Sequence, residues 1–266
     1  MHKWLALAVL LLSHTALAAD NQLTGAEKTA GWRLLFDGRT YDGWQDPSKR
    51  TPPGDSFLIE DGCLKAVSHP KIVEDLFTRD TFRDFELQFD WRISRAGNSG
   101  VKYRIQDHLY IPDGHEKFED RVKAALLAPR LPRPPKGQDY VIGFEYQLTD
   151  NAANSDARAH GPKHQTAALY DVEPPSRDAT RAVGEFNHSL LIVHGDHVEH
   201  WLNGEKVLDT SLKSPAVAAA MQQRWGADSP VYDLLVHQPH ADCPISLQNH
   251  DDEAWFKNIK IRAISR

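Results

Sequence analysis

The stretch FELQFDWRI, residues 85–93, decides the fold class, because apolar and polar residues alternate along it without a break. Alternation with a period of two is typical of a β-strand with one face against a core and the other towards solvent. The inward side chains are then Phe85, Leu87, Phe89, Trp91 and Ile93. Such a strand predicts a sheet with one buried face, which must pack against a second layer.

Two further segments repeat this alternation, GVKYRIQ at 100–106 and VIGFEYQL at 141–148. Each has apolar side chains on one face and polar side chains on the other, as a half-buried strand requires. The polar faces carry Lys102, Arg104, Gln106, Glu145 and Gln147. We therefore look for functional groups on these polar faces.

Turn signals predict a three-stranded meander between Asn187 and Asp209. The pair at 195–196 (Gly-Asp) suits a type II′ turn and the pair at 203–204 (Asn-Gly) a type I′ turn, the tight turns that join antiparallel strands. Further short strands are expected at 56–59, 63–67, 167–172, 245–248 and 254–261. About ten short strands with one apolar face each predict an all-β fold, a two-sheet antiparallel jelly-roll sandwich.

Two helical insertions interrupt the predicted strands. The first, at about 107–139, contains a predicted helix at 115–127 and then the proline-rich run 129–135, which can continue neither a helix nor a ladder. The second, at about 213–243, contains a predicted helix at 215–224 that has proline at its first position. Long excursions from a sandwich are often lids or rim loops, so both could cover a binding site.

Residues 1–18 have the pattern of a secretory signal peptide. A lysine near the start precedes an apolar run, and the A-x-A pattern at 16–18 predicts cleavage after Ala18. The apolar run is too short to cross a bilayer, and no later stretch is a candidate for a membrane span. We expect a periplasmic or secreted protein with an N-terminal extension at 19–30 and one jelly-roll domain at 31–266.

The composition narrows the class of partner. The 266 residues include 31 Lys plus Arg and 37 Asp plus Glu, a formal charge of −6 that disfavours nucleic acid as a partner. Cys63 and Cys243 could pair in an exported protein, and the sequence leaves a disulfide and two buried thiols open. Nothing in the composition indicates the oligomeric state.

The catalytic motifs of several enzyme classes are absent from the sequence. It contains no G-x-S-x-G serine elbow, no phosphate-binding glycine loop and no H-E-x-x-H metal motif. Residues 145–150 come nearest to the Glu-x-Asp-x-Glu strand of retaining glucanases, but Gln147 replaces the second acid and Asp150 has the opposite parity. Ordinary two-carboxylate glycoside hydrolysis is therefore not supported.

Six segments, in order, resemble the 3-keto-disaccharide hydrolase domain family, long classed as a domain of unknown function. They are GWRLLFDGRTYDGW at 31–44, FELQFDWRISRAGNSGVKYRIQ at 85–106, GFEYQLTD at 143–150, HQTAALYDVEPP at 164–175, HWLNGEKVLD at 200–209 and ISLQNHDDEAWFKNIKIR at 245–262. Together they span nearly all of the chain that follows the expected signal peptide.

The resemblance implies a concanavalin-like jelly roll, export, and cleavage of a glycoside that has been oxidised to a ketone at C3. The implied partner is an oxidised mono- or disaccharide glycoside. This sequence departs from the family at 248–251, which reads Gln-Asn-His-Asp where the family usually has Gln-Asp-His-Gly. Its excursion at 107–139 is also longer than is usual in the family.

A C3 ketone makes the C2 hydrogen acidic, so that a base can remove it, the enolate can expel the C1 substituent and water can then add. This chemistry needs a base, a group that stabilises the enolate and an acid for the leaving oxygen. We expect Glu145 to be the base and Arg104 to stabilise the enolate. The alternatives are a solvated strand glutamate and a plain salt bridge between these two side chains.

His250 corresponds to the histidine of the family's Gln-x-His signature and is the expected acid, since imidazole titrates near neutrality. A loop histidine that is satisfied by the backbone is the alternative. His200 is a further catalytic candidate, with a hydrogen-bonded core histidine as its alternative, because its row is apolar. Expected sugar contacts are Asn98, Gln147, Tyr170, Gln248, Trp44 and Trp201. A divalent metal ion on the enolate oxygen is chemically sensible, but the spacing of residues assigns no ligands to it.

Two other functions stay open at this point. A non-catalytic, lectin-like carbohydrate-binding module would have an open polar face with aromatic platforms and no perturbed acid or base. A structural accessory of an envelope assembly would have a large exposed apolar patch. The polar cluster of Arg104, Glu145 and Gln147 favours the enzyme over both.

Overall fold

A computed structural model describes residues 19–46, 54–111, 114–133 and 137–264 of the chain. The expected signal peptide at 1–18 and the end of the proline-rich run at 134–135 lie outside the described residues. Within the described ranges, no helix has both the length and the apolar character that a membrane span requires.

The described part of the chain is built mainly from short strands. In chain order these are β1 (Arg33–Leu34), β2 (Trp44–Gln45), β3 (Phe57–Glu60), β4 (Cys63–Ala66), β5 (Ile72–Val73), β6 (Leu76–Thr78), β7 (Phe85–Ile93), β8 (Asn98–Ile111), β9 (Gly137–Thr149), β10 (Asn187–His194), β11 (His197–Leu202), β12 (Glu205–Ser211), β13 (Ser246–Leu247) and β14 (Ala254–Ala263). The helices are α1 (Gly25–Thr29), α2 (Phe118–Leu127), α3 (Ser155–His160) and α4 (Pro215–Trp225).

These strands form two packed sheets, which confirms the all-β sandwich. The first sheet has the order β12-β11-β10-β7-β14-β4-β3, with β1 paired to β14. The second has the order β2-β6-β13-β8-β9-β5. Every pair is antiparallel except β5 with β9, so the second sheet is mixed at one edge.

The hydrophobic core lies between the two sheets. Along β7 buried and half-buried residues alternate without exception, so the inward row predicted from FELQFDWRI is confirmed. Phe89 from β7 meets Tyr146 from β9 edge-to-face, with ring centroids 5.8 Å apart. Burying an aromatic or aliphatic side chain of this size contributes about 1.5–3 kcal/mol, so this row is a main source of stability.

The predicted meander is confirmed as β10, β11 and β12. Asn203 and Gly204 have φ values of 51° and 86°, as both central residues of a type I′ turn require. Gly195, with φ 60°, begins the other tight turn. By contrast, no strand forms at 167–172, which consists of turns and isolated bridges, because Ala167 and Asp171 have positive φ and interrupt the extended backbone.

Both helical insertions are present, and they cover the outer face of the second sheet. α4 begins as expected, with Pro215 at its first position and the Ser214 hydroxyl accepting from Val217 N–H. It is followed by a helical turn, Pro230–Tyr232, and a π-helical turn, Asp233–His237. Because of this cover, the first eight residues of β8 are buried on both faces, whereas the sequence predicted one solvated face.

The two cysteines do not form a disulfide. Cys63 on β4 and Cys243 are both buried and both free. Burial raises the pKa of each thiol, which keeps the thiols protonated and unreactive near neutral pH. Of the two states that the sequence left open, the structure has the pair of buried thiols.

Candidate active site

A cavity of about 450 Å³ lies between the outer face of the second sheet and the helices α2 and α4. Its floor is formed by β9 and the segment after β13, and its wall by α3 and the turn that contains Tyr170. The roof is apolar and contributes Phe118, Met221, Trp225 and Leu235. A volume of this size is typical of small-molecule sites, and an apolar cover with a polar floor suits a sugar ring.

Glu145 stands at the centre of the floor. It lies on β9 directly opposite Lys102 of β8, so its side chain points away from the core and into the cavity. Gly100 makes the space for it, since a Cβ at that position would lie 2.8 Å from both Cγ and Cδ of Glu145. The register of β9 against β8 and the lack of a side chain at Gly100 therefore set the direction of this carboxylate.

The surroundings of Glu145 shift its acidity towards neutrality. Burial raises the pKa of Glu145 to about 7, and this effect outweighs the positive charge of Lys102 nearby. The Gln248 amide connects the two groups, because its nitrogen can donate to Glu145 Oε1 at 3.2 Å while its oxygen accepts from Lys102 Nζ at 3.2 Å. A carboxylate of this acidity can both take and return a proton at pH 7.

Lys102 and Asp75 form a buried ion pair beneath the cavity floor. Lys102 Nζ lies 3.2 Å from Asp75 Oδ2, and both side chains are about 95% buried. Ser246 Oγ donates to the same carboxylate at 2.9 Å. Burial alone would lower the pKa of Lys102, but the charges of Asp75 and Glu145 raise it above its ordinary value. Lys102 is therefore a fixed positive charge beside Glu145, on the neighbouring strand.

His250 is positioned by the loop that follows β13. The side chain of Asn249 anchors this loop by donating to Ser56 O at 2.7 Å and to Val67 O at 2.9 Å. Asp251 has φ 69°, a left-handed conformation that explains why the family usually has glycine there; aspartate is among the residues that tolerate it. The departure at 248–251 therefore leaves the backbone of this loop in the conformation that glycine favours.

The cavity also sets the charge state of His250. His250 lines the cavity and keeps an exposed surface, yet the protein atoms packed around it desolvate the ring and lower the pKa of His250 below its ordinary value. The positive charge of Lys102 acts in the same direction. The imidazole is consequently neutral at pH 7, with one nitrogen able to donate and the other to accept.

Two amides extend the polar floor. Gln147 Nε2 donates to Asn98 Oδ1 at 3.2 Å, and the Asn98 backbone N–H donates to Asp252 Oδ2 at 3.0 Å. Gln147 Oε1 is buried and has no hydrogen-bond partner. A buried acceptor without a partner is costly in a folded protein, so a hydroxyl group of a bound ligand is its natural complement.

The wall of the cavity is a cluster of ionic groups around His164. Its Nδ1 lies 2.8 Å from Asp156 Oδ2 and its Nε2 lies 3.2 Å from Asp171 Oδ1. Burial alone would lower the pKa of His164, but these two carboxylates raise it to about 9. Tyr170 Oη donates to Asp156 Oδ2 at 3.0 Å, and His160 Nδ1 lies 2.8 Å from Asp156 Oδ1. Asp156, His160 and His164 are also positioned to hold a metal ion.

Arg224 lies where the wall meets the roof. Its Nη1 lies 3.5 Å from Asp171 Oδ2, and its guanidinium packs against the rings of Tyr170 and Trp225 at 5.5 and 5.0 Å. The Nε–H is buried and has no hydrogen-bond partner. This donor lies 3.9 Å from Glu119 Oε1, beyond hydrogen-bond distance, so a ligand oxygen could satisfy it.

The structure brings together six of the residues that the sequence predicted for the site. They are Asn98, Glu145, Gln147, Tyr170, Gln248 and His250, all of which line the cavity. Their shared position follows from strand parity on β8 and β9 and from the loop after β13.

Arg104, the expected enolate stabiliser, is not among them, and the alternative of a salt bridge between Arg104 and Glu145 is not formed either. A bulge in β8 with φ 51° at Arg104 re-aims the side chain. Its guanidinium donates to the carbonyls of Gly195, at 2.6 Å, and Ala241, and it lies 3.7 Å from Asp84. Arg104 therefore lines a different cavity, of about 420 Å³, and cannot hold an oxygen beside Glu145.

Three other predicted residues also lie away from the cavity. His200 is fully buried between the sheets, where its Nε2 lies 3.1 Å from Tyr103 Oη and its Nδ1 2.9 Å from Ala167 O. Trp44 is fully buried in the core. Trp201 has the opposite parity to His200 on β11, and its indole donates to Glu199 at 2.6 Å. His200 is therefore a hydrogen-bonded core histidine, which was the alternative suggested by its apolar row.

Sequence reasoning missed several residues of the site. Lys102 was on the predicted polar face and parity could have found it, and Asp156, His160 and His164 recur at intervals of four, a helical spacing. Arg224 could have been found as the last basic residue of a predicted lid helix. Asp75 and Asp171 carried no signal, because they come from the short connection between β5 and β6 and from a turn, which only the tertiary fold brings to the site.

The chain is similar to known proteins over most of its length. The sequence profile of the 3-keto-alpha-glucoside-1,2-lyase-like domain matches residues 31–262. A curated 3-keto-disaccharide hydrolase from Bacteroides thetaiotaomicron is 28% identical over 247 residues, covering 88% of this chain and 79% of that protein.

Solved structures agree with this match. A crystal structure from Parabacteroides distasonis, provisionally described as a glycosyl hydrolase, is 26% identical with a TM-score of 0.69, covering 93% of this chain and 100% of the other. A second one from that organism is 21% identical with a TM-score of 0.58, covering 88% and 99%, and shares the fold.

Proposed function

This chain belongs to the 3-keto-alpha-glucoside-1,2-lyase-like domain family, and on that premise we propose that it cleaves glycosides whose sugar carries a ketone at C3. The observation that carries the proposal is Glu145, a single carboxylate at the floor of a roofed cavity with a pKa raised to about 7. We propose that the protein acts in the periplasm or outside the cell, as its expected signal peptide indicates.

The proposed reaction is an elimination followed by hydration. Glu145 takes the C2 proton, and the electrons of the C2–H bond form an enolate with the C3 ketone. The C1–O bond then breaks, the departing oxygen keeps its electrons, and the enolate electrons form a C1=C2 double bond conjugated to the restored ketone. Water adds across this double bond, with hydroxyl to C1 and hydrogen to C2, so the net result is hydrolysis.

His250 is proposed to deliver the proton to the departing oxygen. Because its pKa is lowered, it acts as a neutral imidazole, which can donate from one nitrogen while the other accepts the proton held by Glu145. His250 thus keeps the role of acid that the sequence suggested. Lys102 is a positioning residue, since its charge acts on Glu145 from the neighbouring strand and the Gln248 amide can bridge the two side chains.

The two competing functions fit the described residues less well. A lectin-like module would have an open polar face, whereas here α2 and α4 roof that face and a glutamate beneath them has a perturbed pKa. A structural accessory needs a broad apolar surface. In the described ranges the large exposed apolar side chains are Leu127, Leu131 and Val183.

The experiment uses the mature protein with a 3-keto-glucoside that bears a nitrophenol leaving group, beside its unoxidised parent. We expect release from the ketone alone, and a loss of about 10²–10⁴-fold in kcat/KM for Glu145→Gln. Glu185→Gln, an exposed glutamate outside the cavity, is the matched control and should keep full activity. Equal release from both glycosides, or an active Glu145→Gln variant, would contradict the proposal. Sugar binding without any release would identify a lectin-like module.

The route through an enolate has its own test. In D₂O, elimination and hydration place deuterium at C2 of the released keto-sugar, which mass spectrometry and NMR detect. Direct displacement at C1 would leave the C2 hydrogen in place, and that result would exclude the enolate.

A further inference from the structure

We propose that Asp156, His160 and His164 bind one divalent transition-metal ion in the wall of the cavity. One nitrogen or oxygen atom from each residue lies within 4.8 Å of the other two. Asp156 and His160 lie one turn apart on α3, and after Gly161 (φ 77°) ends this helix the 3-10 turn Pro162–His164 places His164 Nδ1 2.8 Å from Asp156 Oδ2. Two imidazoles and one carboxylate are a ligand set typical of iron and related divalent ions.

Two distances within this group are close to those between neighbouring ligand atoms on a six-coordinate ion. Asp156 Oδ1 lies 2.8 Å from His160 Nδ1, and Asp156 Oδ2 lies 2.8 Å from His164 Nδ1. Neighbouring ligand atoms on an octahedral ion with bonds of about 2.1 Å are separated by about 3 Å. The His160 and His164 rings also pack together, with centroids 4.8 Å apart.

Groups behind the proposed ligands orient them. The far nitrogen of His164, Nε2, lies 3.2 Å from Asp171 Oδ1, and Tyr170 Oη donates to Asp156 at 3.0 Å. A metal-bound histidine usually donates its other N–H to a carboxylate or carbonyl, which fixes the ring and strengthens the ligand. The pair of His164 and Asp171 has this arrangement.

A proton is the competing occupant. His164 between Asp156 and Asp171 could simply be an imidazolium ion, held by two carboxylates with no metal. The same negative charges attract a divalent ion, which would displace the proton on binding. The two possibilities differ in a measurable way, because metal binding requires His160 and the imidazolium ion does not.

A second group of three residues in this chain provides the control. His197, Glu199 and Asp209, on the exposed hairpin of β11 and β12, also offer atoms within 4.8 Å of one another. There the Lys206 ammonium already occupies the position of a cation, since it contacts Asp209 and lies 3.5 Å from Glu199. We expect no metal ion at this hairpin.

An ion in the cavity wall would complete the chemistry that Arg104 cannot supply. Three protein ligands leave open positions on a six-coordinate ion, and the ligand residues line the same cavity as Glu145. A ketone oxygen and the neighbouring hydroxyl oxygen would fill two of them, and the ion would then stabilise the enolate charge. This use rests on the proposed function, whereas metal binding itself does not.

The experiment measures binding of Mn²⁺ and Co²⁺ to the chelator-treated mature protein, by calorimetry and by loss of the EPR signal of free Mn²⁺. We expect one ion per chain, with binding at least about 10-fold weaker in His160→Ala and Asp156→Asn and about 10–100-fold weaker in Asp171→Asn. His197→Ala should bind as tightly as the wild type. The His160 side chain is 59% exposed, so its alanine variant should fold, and a thermal melt verifies this.

Three results would overturn the site. They are no binding at about 1 mM of either ion, equal binding by the wild type and His160→Ala, and loss of binding in His197→Ala. The result also separates this proposal from the proposed function. Metal binding without cleavage of a keto-glycoside leaves the site standing and refutes the function, while cleavage unchanged after metal removal refutes the catalytic use of the ion.

Discussion

Two buried polar networks lie back to back on β8 and β9 and differ in almost every respect except burial. The inter-sheet network contains Tyr103, Tyr146 and His200, and the cavity network contains Lys102 and Glu145, so the two alternate along the same strands. The inter-sheet groups are neutral and paired: Ser189 Oγ donates to Tyr146 Oη at 3.0 Å. The cavity network is charged and leaves polar atoms unpaired.

The comparison separates polar groups that stabilise from polar groups that act. Burial lowers the pKa of His200 to about 4 and raises that of Glu145 to about 7, so in both networks it favours the neutral form. His200 has only neutral partners and stays uncharged. Glu145 has Lys102 behind it and can ionise near neutral pH. Substitutions on the two sides should therefore have different signatures.

The largest expected effect is on stability, from Lys102→Met. This change leaves Asp75 as a buried charge without its partner, which should lower the free energy of unfolding by about 3–5 kcal/mol. Adding Asp75→Asn removes the stranded charge and should restore much of the loss. Denaturant unfolding of both variants measures this. A loss below about 1 kcal/mol would show that the ion pair is hydrated in solution.

A smaller effect should come from His200→Phe. At pH 7.5 the variant leaves Tyr103 Oη and Ala167 O without the His200 imidazole as a partner. The free energy of unfolding should therefore be about 1–3 kcal/mol lower than in the wild type. Its kcat/KM should stay within about twofold of wild type, because His200 lies outside the cavity.

The acid dependence of His200 adds a second readout. The unfolded histidine binds a proton below pH 6.5 and the folded one only near pH 4, so wild-type stability should fall between these values by up to roughly 3 kcal/mol. His200→Phe should lose that part of the pH dependence. Loss of activity without loss of stability would place His200 in the chemistry.

The pH profile of the wild-type enzyme should report Glu145. The base must be ionised, so kcat/KM should rise about tenfold per pH unit below a midpoint near 7 and stay level above it. The rate stays level above pH 7 because His250 is already neutral there. A decline just above pH 7 would instead show that His250 acts as a cation, and steady-state rates from pH 5 to 9 distinguish the two.

The smallest expected effect is that of Trp201→Phe. The indole lies on the far side of the first sheet with Glu199, so the variant should change KM less than twofold and stability by less than about 0.5 kcal/mol. A KM that rises severalfold would mean that sugar is bound outside the cavity. Trp225→Phe, in the roof, is the matched variant that should raise KM.

Local pattern predicted most of the fold and about half of the site. Strand parity identified the inward row of β7 and the polar faces that carry Glu145 and Gln147. It failed at Arg104, because a bulge with positive φ reverses a side chain without any mark in the sequence. It also failed at Trp44, since parity does not tell which aromatic residues the second layer will cover. Asp171 could not be predicted, because it comes from a turn that was expected to be a strand.

The roof of the cavity is formed by segments that connect strands, and its floor is formed mainly by the strands themselves. α2 lies in the segment between β8 and β9, and α4 in the segment between β12 and β13. The ends of both segments are held by strand pairing, so a different segment could be grafted between the same ends without shifting the register that aims Glu145. For protein engineering, the molecule thus offers a constant reactive floor with an exchangeable cover, and leaving-group preference could be altered there while the proton chemistry stays intact.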